Sequence, residues 1–152
     1  MKMTTNEVLA RQNFITKVLF KDGDASLSKE LKVKIMAMRI EYAKVRKSFD
    51  EDLRSFVDEL PSDEFKTLQQ KENRTDEEEA KLKTLTDQIN EEYNEYVVNR
   101  GKEEVEIKNT SLTEDEFNQI VEVNAGNDVE INGQNIPSAD FLEILYSLFV
   151  EE

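Results

Sequence analysis

The sequence predicts a mainly α fold, a long antiparallel helical hairpin with flanking helices and a small two-stranded β ribbon. Three observations carry this. Apolar residues recur at Leu31, Ile35, Met38, Tyr42, Val45, Phe49, Leu53, Phe56 and Leu60, at spacings of three and four that keep them on one stripe of a long helix. A second segment, Ala80 to Val97, carries a matching stripe at Leu82, Leu85, Ile89, Tyr93, Tyr96 and Val97 and has the length to fold back against the first. After Gly101 the apolar period changes to two, at Glu104-Val105-Glu106-Ile107-Lys108 and at Asp128-Val129-Glu130-Ile131, which is strand grammar.

Each element has local signals. Thr4 and Glu7 have capping-box spacing and start a first helix near Thr5, with Val8, Leu9, Phe14, Ile15, Val18 and Leu19 on one broad face. Lys21-Asp22-Gly23-Asp24 stops it, Gly23 suiting a left-handed turn. Ser26 or Ser28 caps the long helix, roughly residues 27–60 and about 50 Å long at 1.5 Å per residue. Its N-terminal half has a second apolar set, Val33, Met36, Ala37 and Ile40, pointing away from the main stripe. That half is therefore expected to be covered on two sides, by the first helix and the C-terminal segment. Pro61 ends the helix, Ser62 offers a new cap, and Phe65 and Leu68 close the hairpin tip ahead of a polar, mobile turn over Gln69 to Arg74. Thr75-x-x-Glu78 opens the returning helix and Gly101 closes it.

Beyond that point, Val105/Ile107 and Val129/Ile131 are expected to pair as the ribbon. Thr113-x-x-Glu116 starts a short helical turn with Phe117, Ile120 and Val121 inward, and Asn132-Gly133 marks a tight turn. Pro137-Ser138 opens a last helix, the most apolar stretch of the chain. A length of 152 residues fits a single domain, with the hairpin over about 27–99 and a small α+β base from 1–26 and 100–152. The long stripe serves either an internal hairpin seam or an oligomer seam, and the matching helix that follows favours the internal one.

Net charge is −14 and uneven. Residues 1–60 hold 12 basic and 10 acidic side chains, residues 61–99 hold 5 and 11, and residues 100–152 hold 3 and 13. Such a surface repels phosphate backbones, so direct nucleic-acid binding is disfavoured, and it speeds encounter with basic protein surfaces. The chain has no Cys and no His, which excludes disulfides, thiolate or imidazole metal sites, and Ser-His-Asp or Cys-His catalysis. Carboxylates are the remaining candidates. Glu92-x-x-Glu95, Glu77-Glu78-Glu79 and Asp50-Glu51-Asp52 have spacings that could hold Mg²⁺ from facing helices, as in nucleotide hydrolases. With 34 acids in the chain such pairs arise by chance, and a solvated face explains them without a metal. Asp22-Gly23-Asp24 lacks the later ligands of a calcium loop and reads as a turn, as does Asn124 to Asp128. The basic run Lys29, Lys32, Lys34, Arg39, Lys44, Arg46 and Lys47 interleaves with acids and reads as ion pairing. No stretch approaches the roughly 18–20 apolar residues of a membrane span, and the N-terminus lacks the apolar run of a secretory signal. A cytoplasmic location is expected.

Several segments resemble a family of small, uncharacterised tailed-bacteriophage proteins encoded near structural genes. They are the opening Thr5-Asn6-Glu7-Val8-Leu9, the run Leu31-Lys32-Val33-Lys34 entering a long helix, Val105-Glu106-Ile107, Val129-Glu130-Ile131, and Ile136-Pro137-Ser138-Ala139-Asp140-Phe141-Leu142. The resemblance spans nearly the whole chain. It implies a phage origin and a non-catalytic role, and it brings no functional residues with it; the expected location is the cytoplasm of a bacterial host cell, or the virion.

Taken together, these readings lead to a non-enzymatic protein without cofactor or metal that binds a protein partner of phage or host, with homo-oligomerisation possible. The alternatives are an acidic inhibitor that mimics nucleic acid to block a host defence enzyme, and a carboxylate–Mg²⁺ nucleotide hydrolase. Phe141, Leu145, Leu148 and Phe149 of the last helix are the candidate contact residues; they either pack on the base or form a docking patch.

Overall fold

A computed structural model describes residues 1–21, 23 and 26–151. Six helices and two small two-stranded antiparallel sheets are present among the described residues. In chain order they are β1 (Lys2–Thr4), α1 (Thr5–Ile15), α2 (Lys29–Glu59), α3 (Asp63–Gln70), α4 (Asp76–Gly101), β2 (Glu104–Glu106), α5 (Glu114–Asn124), β3 (Val129–Ile131), β4 (Gln134–Ile136) and α6 (Ser138–Phe149). They group into two compact units, one of residues 1–46 and 104–152, the other of residues 47–103. Sequence reading drew the hairpin over about 27–99; the second unit spans 47–103 and its border lies inside α2, so the first half of the long helix belongs to the first unit.

Helix starts follow the caps. Thr4, Thr75 and Thr113 each accept a hydrogen bond from the N3 backbone N–H, while Glu7, Glu78 and Glu116 reach back to the cap N–H. These pairs satisfy donors that a helix leaves open at its first turn. Ser62 caps α3 through Phe65 N–H, and the Ser28 hydroxyl accepts from Leu31 N–H at the start of α2. Asn132 (φ 52°) and Gly133 (φ 78°) make the tight turn joining β3 to β4. Gly23 has φ 101°, as its proposed turn requires, whereas Asp22 and Asp24 of the same motif lie outside the described residues.

In the first unit one core gathers Val8 and Ile15 of α1, Leu31, Ile35, Met38 and Tyr42 of α2, Ile120 and Val123 of α5, and Phe141, Leu145 and Phe149 of α6. Tyr42 stacks on Phe149 with ring centroids 6.4 Å apart, and Phe14 on Phe141 at 6.0 Å. The stripe read as one hairpin seam from Leu31 to Leu60 therefore changes partner along its length: Leu31 to Tyr42 fill the base core, and the part past Phe49 serves the hairpin. In the second unit Phe56 stacks on Tyr96 at 4.0 Å with nearly parallel rings. Arg100, buried, bonds the Asp52 carboxylate at 3.0 Å and lies 5.8 Å from the Phe49 ring centre. The tip segment read as mobile is braced, since Arg74 donates to the carbonyls of Leu68 and Lys71 and pairs with Glu79 at 2.9 Å.

The strand pairing differs from expectation. Val105 pairs with Met3 and not with the later strand, because the first residues form β1 and lie antiparallel to β2; Val129 pairs with Ile136 across the Asn-Gly turn. Among the described residues there are thus two ribbons where one was expected. The Thr113 segment extends beyond a turn into an eleven-residue helix, α5.

Candidate interaction face

α2 is fixed to the base by its buried side and by two arginines. Arg39 donates to the carbonyls of Ile15 and Val18, at 3.2 and 2.6 Å, and lies over the Phe20 ring. Arg46 bonds Gln12, Asn13 Oδ1 and the Leu9 carbonyl. The basic run on α2 was expected to form ion pairs, but these two arginines instead bond amide and carbonyl oxygens of α1 and of the segment that follows it. Partial burial lowers the pKa of Arg39 from its ordinary value, which leaves it cationic at neutral pH. Lys34 does pair, with Glu116 at 2.7 Å. Partial burial raises the Glu116 pKa, yet hydrogen bonds from Lys34 and from the Thr113 N–H outweigh this and hold its carboxyl below the usual range. Burial pushes the Tyr42 phenol up, and its hydroxyl donates to the Asn109 carbonyl.

With α2 held this way, its opposite side is turned to solvent. Val33 is 59% exposed, Met36 50% and Ile40 57%. This corrects the expectation that these residues are covered on two sides: α1 and α6 share one core with Leu31, Ile35, Met38 and Tyr42, on the other side of α2. At 100° per residue, Lys29, Lys32, Val33, Met36, Ala37, Ile40, Ala43 and Lys44 fall within an arc of about 140°, and no acidic residue of the Lys29–Lys44 stretch shares it. A groove of about 490 Å³ runs beside the arc, lined by Ala37, Ile40, Glu41, Lys44 and Val45 on one side and Glu106 to Asn109 on the other. Glu41 is engaged there, accepting from the Lys108 and Asn109 N–H groups at 3.0 and 3.1 Å.

The contact residues expected on α6 are placed otherwise. Phe141 and Leu145 are wholly buried and Phe149 is 1% exposed, so these three are core. Leu148 is half-buried and lines a groove with Met1, Lys2, Met3 and Arg11. Of the two alternatives left open for this helix, packing on the base is the one realised. The exposed apolar row instead falls on Val33, Met36 and Ile40, residues that the sequence marked as apolar and assigned to the interior. Their i, i+3, i+7 spacing was visible; what covers them was not.

Among the carboxylates weighed as metal ligands, Glu92 and Glu95 line a shallow groove of about 290 Å³ with Phe56, Tyr96 and Asn99 in the second unit. Among the described residues no group of three or more His, Cys, Asp or Glu side chains is gathered to hold a metal ion. Glu78 is occupied by its cap, by hydrogen bonds from Lys71 and the Thr75 N–H that hold its carboxyl below the usual range. Among the described residues no helix is long and apolar enough to cross a membrane.

Comparison with known proteins returned no matching family model, curated protein or solved structure.

Proposed function

We propose that this chain is a non-catalytic protein that works by binding another protein, as a minor virion, assembly or accessory factor of phage type in a bacterial host cell. The observation that carries the reading is the exposed Val33–Met36–Ile40 row on a helix that is otherwise anchored on its buried side. Single exposed apolar residues are common, but three aligned on one face are what a partner helix or sheet buries. Covering the exposed half of each is worth about 1 kcal/mol per side chain, enough to anchor an interface when joined by its rim. The absence of Cys and His from the sequence also favours contact over chemistry.

The test is site-specific photocrosslinking in producing cells, with the reactive residue at position 36 or 40 and a control at Lys83 on α4. A discrete protein adduct from positions 36 and 40 that Lys83 does not give is the expected result. Equal, diffuse labelling from all three positions would overturn the reading.

One observation favours the acidic-inhibitor alternative. Asp87, Glu91 and Glu95 are exposed and four residues apart on α4, a row of charges rising about 6 Å per step. Binding to a basic nuclease that weakens steeply with salt is the outcome this reading requires; salt-independent binding rejects it.

A further inference from the structure

Resting on the protein-binding reading, we infer that the face at Val33, Met36 and Ile40 docks an acidic amphipathic helix of a partner protein. Apolar residues at i, i+3 and i+7 form a ridge that packs against the apolar stripe of a second helix, and the groove between α2 and Glu106–Asn109 gives that helix a wall. The charge of the partner follows from what the rim leaves uncompensated. Lys29, Lys44 and Lys108 are exposed around this face, and among the described residues none of the three lies within salt-bridge distance of a carboxylate. In a chain with 34 acids and 20 bases, three lysines held in no ion pair around one apolar face mark a local reversal of sign. Residues 1–46 hold ten basic and five acidic side chains, opposite to the rest of the chain. The two acids that line the groove are already engaged, Glu41 by backbone N–H groups and Glu106 by the Met1 ammonium at 2.9 Å.

These facts select among occupants. A second copy presenting the same face would set lysine against lysine, which is repulsive. An anionic membrane would meet the same lysines but also the −14 charge of the whole chain. A helix with an apolar stripe and acidic flanks satisfies both the row and its rim. Lys29 and Lys44 stand about 22 Å apart along α2, so the docked segment has about four turns, with acids near its two ends.

The test selects displayed random 16-residue peptides on the full chain, then measures synthetic versions of the winners by fluorescence anisotropy. The expected winners have apolar residues three and four apart with Asp or Glu on the flanks. They lose about tenfold or more in affinity for Ile40→Gln and for the Lys29→Glu/Lys44→Glu double variant, and weaken as salt rises. The substituted side chains are exposed, and circular dichroism checks that the variants fold. Winners that need Ile40 but are neutral or basic, and bind the double variant as well, overturn the acidic partner while leaving protein binding through this face intact. Winners indifferent to Ile40 overturn the docking site and the proposed function with it; recovery of no binder overturns the docking site. A dimer in sedimentation, or flotation with phosphatidylglycerol vesicles, that is lost in Ile40→Gln would assign the face to a second copy or to a membrane and overturn the proposal.

Discussion

Asn124 is fully buried at the end of α5, and its amide serves two backbone groups of the segment after α1. Oδ1 accepts from Leu19 N–H at 3.1 Å and Nδ2 donates to the Lys17 carbonyl at 3.3 Å. Asn124→Ala leaves both without partners in the interior, where each unmade bond costs roughly 1–3 kcal/mol. The expected loss is about 2–3 kcal/mol in urea unfolding, and a loss below about 0.5 kcal/mol would contradict this role. Sequence reading placed Asn124 in a loop, because nothing within a few residues signals a partner more than a hundred positions away. Glu116 gives a pH-dependent test. Its folded pKa is held below the ordinary 4.5, so its stabilisation is complete above the unfolded value and is lost as pH falls through the folded one. Glu116→Gln keeps the capping reach and removes the charge from the Lys34 pair, whose side chains are 20% and 31% exposed. It should cost about 0.5–1 kcal/mol at pH 7 and nothing in acid, where both proteins carry a neutral side chain. Unfolding curves at several pH values check this, and an unchanged difference in acid would assign the loss to packing instead.

At the scale of the element, the two faces of α2 make opposite predictions from near neighbours. Ile35 is wholly buried and Ile40 is 57% exposed. Ile35→Ala should cost about 2–5 kcal/mol, as truncation in a packed core does. Ile40→Gln should change stability by no more than about 0.5 kcal/mol, because that side chain contributes little inside the folded chain. Chemical denaturation of both variants decides it; a large loss for Ile40→Gln would mean the face is internal after all. Elements were legible where their cause is local. Thr4, Thr75, Thr113 and Ser62 act within three residues of themselves, so their caps could be read directly. The strand pairing was not. A three-residue strand carries almost no register information, and Lys2-Met3-Thr4 is too short to display alternation, so its claim on Val105 could not be seen.

Across the whole molecule the two units differ in how much apolar surface they bury. The first holds nearly all of the buried hydrophobic residues, whereas in the second Phe49 and Leu68 are the buried apolar side chains among the described residues. Along α4 the stripe residues Leu82, Leu85, Ile89, Tyr96 and Val97 are half-buried, and Tyr93 is exposed. Local opening takes place where burial is thin. Amides of residues 82–93 should therefore exchange about tenfold or more faster than those of residues 35–42 in native-state hydrogen exchange. Uniform protection across both units would contradict this.

What the sequence determined alone was where the helices start, the caps, the Asn-Gly turn, and the absence of thiol and imidazole chemistry, since each depends on residue type or on spacing along the chain. Whether an apolar face is covered depends on which distant segment arrives there. Only the tertiary structure decided that Phe141, Leu145 and Phe149 lie inside while Val33, Met36 and Ile40 face water: periodicity fixes the direction of a side chain relative to its own helix and carries no information about what lies across from it.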